Sequence, residues 1–125
     1  MNNWKKVILK VSNTMSNALE VLETEGLGII MVADNHNKLL GTVTDGDIRR
    51  KLLKVQKPLS SFFIDDALEH SIRTPTTVKQ DVLLRDAVLL MEQKQVWDLP
   101  VIDGENRLVG LLHLHPAIQS LLGLE

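Results

Sequence analysis

Apolar positions recur at two alternating spacings along this chain. Residues 7–11 read as a short strand. Ala18, Leu19 and Leu22 then recur at helical spacing, which predicts a helix over 15–25. Ser12, Asn13 and Thr14 offer its N-cap. Gly26 and Gly28 stop it, because glycine tolerates the left-handed conformation that ends a helix. Residues 29–32 form a continuous apolar run, the pattern of a strand buried on both faces. Asp34-Asn35-His36-Asn37 is turn chemistry. A strand over 39–44 and a helix over 45–55 follow, so this half reads β-α-β-β-α.

The same order then returns. Residues 56–61 are a connector with Pro58 as breaker, and a short helix is expected within 65–72. A strand over 76–79, a helix over 82–95 and a strand over 99–102 come next. A Gly-Glu-Asn turn leads to a strand over 107–112 and a last helix over 116–122, with Pro116 at the first helical position, where its missing N–H costs nothing. The copies align without a gap at a constant offset of 69 residues, placing Val32 on Val101, Asp34 on Asp103, Asn37 on Asn106, Leu39 on Leu108 and Gly41 on Gly110. Extended backwards, the offset sets Ala18 on Ala87. Two copies are too few for a solenoid. The expected fold class is α/β (α+β), with two β-α-β-β-α repeats packed about a pseudo-twofold axis. The expected boundaries are repeat one over 1–55, a connector over 56–72 and repeat two over 73–125.

Composition narrows the function classes. The chain has 125 residues, 44% apolar and 24% charged, with a net charge of −2 and both signs interspersed. Nothing in that balance argues for nucleic acid or an anionic membrane. With no cysteine there is no disulfide framework, thiolate nucleophile or Cys-type zinc site. No apolar run approaches the ~18 residues of a membrane span, and the first residues lack a signal peptide's apolar stretch, so a cytoplasmic protein is expected. The few aromatics, Trp4, Trp97, Phe62 and Phe63, make no base-stacking platform. No serine–histidine–acid set is identifiable, and Asp65 and Asp66 sit in the connector. The chain is read as a binding module and not an enzyme.

The chemistry is expected where each half's last strand runs into its last helix. In the first half this is Thr44-Asp45-Gly46-Asp47-Ile48-Arg49-Arg50. A helix N-terminus presents unpaired N–H groups and partial positive charge, and Gly46 lets a ligand approach the backbone closely. Thr44 offers a hydroxyl to a phosphate, Asp47 a carboxylate to a ribose diol, and Arg49 and Arg50 add positive charge. Thr44-x-x-Asp47 is also close to a capping box, which would explain both residues as helix structure alone. In the second half His113 replaces Thr44 and Pro116 replaces Asp47, removing the carboxylate and one backbone donor. His113 and His115 sit two apart on an expected strand and share a face. Without a third identified ligand they make a weak metal site, so no metal is expected.

At these residues the sequence resembles the CBS-domain family, named after cystathionine β-synthase. The doubled β-α-β-β-α unit, Ala18 and Ala87, the Asp-turn-Leu-x-Gly segments and Gly41-x-x-Thr44-x-x-Asp47 carry the resemblance over almost the whole chain. It implies a sensory module that binds an adenine nucleotide (AMP, ADP or ATP) in clefts between the halves and dimerises. It assigns Thr44 to phosphate and Asp47 to the ribose hydroxyls, with base contacts from the stretch Leu9-Lys10-Val11-Ser12. The first half is similar to the module attached to bacterial sugar-phosphate nucleotidyltransferases, which would make such a catalytic domain the attached or partner enzyme. Leu112-His113-Leu114-His115 is similar to the tail of arabinose-5-phosphate isomerases, where an aspartate usually stands in place of Pro116. A structural dimerisation module without a nucleotide is the competing reading.

Overall fold

β2 (Ile29–Ala33) organises the first half, and all five of its residues are buried. A computed structural model describes residues 4–54, 58–114, 117, 122 and 123. The chain divides into two compact units, Met1–Pro75 and Thr76–Glu125.

In the first unit a 3₁₀ turn, Trp4–Val7, precedes β1 (Ile8–Lys10). The strand expected over 7–11 is therefore shorter, with Val7 fully buried in the turn. α1 (Met15–Glu25) starts on a complete capping box between Thr14 and Asn17, and ends on Gly26 at φ 67°. β1 lies parallel to β2 on one side, and β3 (Leu39–Thr44) antiparallel on the other. α2 (Asp45–Lys54) leaves directly from the end of β3.

The connector carries more structure than its sequence suggests. Pro58 opens α3 (Leu59–Ile64) rather than breaking a chain of turns. The short helix expected within 65–72 is a 3₁₀ helix, Ala67–His70. The extended backbone at Asp65 (ψ 153°) separates the two. Phe62 is fully buried. The connector belongs to the first unit and is sewn onto the repeat before it. Met15 N–H donates to the Asp65 carbonyl at 2.8 Å, and Ala67 N–H to the Asn13 carbonyl at 2.9 Å. Thr42 and Ile72 exchange backbone hydrogen bonds of 3.0 and 2.8 Å on the free edge of β3.

The second unit repeats the plan. β4 (Val78–Lys79) is parallel to β5 (Asp98–Ile102), which is antiparallel to β6 (Leu108–His113). α4 (Leu84–Lys94) lies between β4 and β5 in sequence. Val78, Ala87, Met91 and Leu99 form the core, with Val82, Leu90, Val96, Val101, Leu112 and Leu114 packed on it. The last expected helix, over 116–122, lies outside the described residues except for Ala117 and Leu122.

The internal repeat extends to backbone detail. The ladder irregularity between Val32 and Ala33 recurs between Val101 and Ile102. Asn37 (φ 64°) and Asn106 (φ 66°) take the same left-handed turn conformation. Asp34 accepts hydrogen bonds from the N–H groups of His36 and Lys38 at 2.8 and 2.9 Å, and Asp103 does the same for Glu105 and Arg107. These backbone bonds to the charged form, that from Lys38 or Arg107 first, hold both carboxyls below their usual range.

Candidate functional site

The junction of β3 with α2 gathers its chemistry within one helical turn. Thr44 N–H donates to Asp47 Oδ2 at 3.0 Å, and Asp47 N–H donates to Thr44 Oγ1 at 3.2 Å. This reciprocal pair has capping-box geometry with Asp at the third helical position. The second carboxylate oxygen, Oδ1, accepts from the Arg50 guanidinium at 2.7 Å. Asp47 is 15% exposed at its side chain, and Arg50 is 66% exposed. The guanidinium arches over Gly46, where a side-chain Cβ would stand 3.3 Å from Nη1 of Arg50. Asp45 and Arg49 are exposed on the same turn.

Thr44, Gly46 and Asp47 therefore converge, with Arg50 rather than Arg49 paired to the carboxylate. Sequence reasoning named Arg50 only as nearby charge, because its direction depends on a rotamer that spacing does not fix. Val11 and Ser12 are exposed residues of the turn after β1. Within the first unit they do not join Thr44. Lys10 pairs with Ala33 at one end of β2, and Thr44 pairs with Ile29 at the other. A cleft of about 420 Å³, lined by Trp4, Lys5, Lys10 and Asp34 among others, also lies at the Ala33 end, away from the junction.

The equivalent junction in the second unit is built differently. His113 Nδ1 lies 2.7 Å from Oδ1 of Asp98, whose side chain is 8% exposed. Burial raises the Asp98 carboxyl above its usual value, against the opposing pull of His113. The sequence reading missed Asp98. The repeat offset sets it on Ile29, and a carboxylate in a buried apolar register was the available signal. His115 and Pro116, the other parts of this junction, lie outside the described residues.

Asp65, Glu69 and His70 bring donor atoms within 4.8 Å of one another in the connector. His70 Nε2 is 2.8 Å from Asp65 Oδ2, and its ring packs against Phe62 with centroids 4.6 Å apart. Nδ1 is buried without a hydrogen-bond partner. Metal ligation through Nε2 would place a proton on Nδ1, leaving a buried donor unsatisfied where metal-bound histidines normally donate to a partner. The cluster fits a hydrogen-bonded pin for the connector better than a metal centre.

Two three-stranded sheets with their helices, related at a constant offset of 69 residues and differing at the strand–helix junction, make the chain a tandem repeat module. The chain belongs to the CBS-domain family, which matches residues 4–54 and 66–115. It is 31% identical over 110 residues to arabinose 5-phosphate isomerase KdsD of Pseudomonas aeruginosa, covering 88% of this chain and 32% of the isomerase. It is 30% identical over 116 residues to inosine-5'-monophosphate dehydrogenase of Methanocaldococcus jannaschii, covering 91% of this chain and 22% of that enzyme. The chain thus spans about a third or less of these curated relatives. Among solved structures it is similar to CBSX2 in complex with AMP, at 26% identity and a TM-score of 0.80, over 93% of this chain and 87% of that one. No helix among the described residues is long and apolar enough to cross a membrane.

Proposed function

We propose that this chain is a regulatory module that binds an adenine nucleotide of the AMP, ADP or ATP type at the β3–α2 junction. Thr44 and the first N–H groups of α2 face the phosphate, and Asp47 accepts from the ribose hydroxyls. The observation that carries this reading is the AMP complex of CBSX2, a relative of the same fold over 93% of this chain. In the second half Pro116 stands at the repeat position of Asp47, so that junction offers no equivalent carboxylate to a ribose. The module acts in the cytoplasm as a homodimer, performs no chemistry itself and regulates an attached or partner enzyme of sugar-phosphate metabolism. The first half's resemblance supports a nucleotidyltransferase domain, while the curated isomerase relative supports an isomerase domain.

A second reading has its own support. Thr44 and Asp47 already satisfy each other as a helix cap, so a structural dimerisation module needs no ligand to explain them. Thermal denaturation with AMP, ADP, ATP and GMP separates the two. The sensor reading expects a concentration-dependent rise in Tm with at least one adenine nucleotide, by mass action on the folded state, and its loss in Asp47→Asn. No shift with any of the four supports the structural module.

A further inference from the structure

We infer that Arg50 is the phosphate-selecting residue of the first junction, and that its pairing with Asp47 is the resting arrangement a nucleotide displaces. The inference rests on the nucleotide reading given above. The first turn of α2 carries two carboxylates, Asp45 and Asp47, which complement the helix dipole but repel an incoming phosphate. A cation must offset them for an anion to settle there. Arg50 is placed to do so, with its guanidinium over Gly46 and on the Asp47 Oδ1 atom at 2.7 Å.

The hold on Arg50 is weak enough to exchange. The pair is an i,i+3 contact with the guanidinium 66% exposed, a geometry that contributes little to stability. A ribose diol donating to Asp47 competes for Oδ1 and frees the guanidinium. The planar fork then matches a phosphate with two parallel N–H donors, which an ammonium cannot reproduce. Asp47 and Arg50 thus read two parts of one ligand, sugar and phosphate, and the exchange makes the junction prefer a nucleotide to its nucleoside.

Isothermal titration calorimetry of the wild-type chain, Arg50→Gln and Arg50→Lys against AMP and adenosine tests this. The expected wild-type preference for AMP over adenosine is about tenfold or more. Arg50→Gln is expected to lose AMP affinity by about tenfold, with adenosine affinity within about twofold of wild type, and Arg50→Lys to fall between. Wild-type binding of AMP with an AMP-to-adenosine ratio unchanged in both variants overturns the role of Arg50 and leaves the nucleotide reading standing. A wild-type chain that binds neither ligand overturns both.

Discussion

Asp98 and His113 face each other 2.7 Å apart across the β5–β6 ladder, in the register that Ile29 and Thr44 occupy between β2 and β3. One repeat position thus carries an apolar residue beside a hydroxyl in the first unit and a buried carboxylate beside an imidazole in the second. The hydroxyl copy leaves Thr44 to cap α2 beside Asp47. The second copy turns the equivalent side chain, His113, onto Asp98 of the neighbouring strand.

That difference has a pH signature. Burial holds the Asp98 carboxyl above its usual value, so the folded state favours the protonated form. The stability Asp98 contributes is fully present below the unfolded value near 3.8 and is lost as pH rises through the folded value. Urea unfolding of both proteins from pH 4 to 8 is expected to show the wild type losing stability relative to Asp98→Asn as pH rises. A pH-independent difference contradicts the assignment.

The connector makes two equivalent glycines unequal. A Cβ at Gly41 would meet Ser71 Cβ at 2.9 Å and the Ile72 carbonyl at 3.0 Å, whereas at Gly110 its nearest neighbour is Val101 Cβ at 3.6 Å. Gly41→Ala is expected to destabilise by roughly 1–3 kcal/mol through overpacking. Gly110→Ala, in ordinary contact, is expected to stay within about 0.5 kcal/mol of wild type, helped by reduced freedom of the unfolded chain. Equal costs in denaturant unfolding would mean that residues 71 and 72 do not lie on β3.

Helix ends differ in the same manner. Gly26 closes α1 at φ 67°, and Gln95 closes α4 at φ 56°. A residue with a Cβ is strained in that conformation, so Gln95→Gly is expected to stabilise by roughly 0.5–1 kcal/mol after the added backbone entropy of glycine is counted. A lower Tm for the variant would contradict the left-handed cap.

Much of the fold was legible because the repeat supplied each element twice. The buried run over 29–32, the Asp-turn pair and Gly26 all mark themselves by local chemistry, and their partners follow at the offset of 69. The connector was not legible. α3 starts at Pro58, and Ile72 joins β3 by tertiary backbone bonds that no periodicity announces. At the candidate site, Thr44 and Asp47 stand out by spacing. The Arg50 contact and the Asp98 partner of His113 arise from rotamer choice and cross-strand register, which the linear pattern does not show.

The most direct test of a nucleotide bound at the β3–α2 junction, and not at its counterpart, is the stoichiometry of AMP binding. Titration calorimetry of the wild-type chain and Asp47→Ala, with circular dichroism confirming the variant's fold, measures it. The account predicts saturable heat at one site per chain, abolished in Asp47→Ala. Two sites per chain, or AMP binding unchanged in a folded Asp47→Ala, would contradict it.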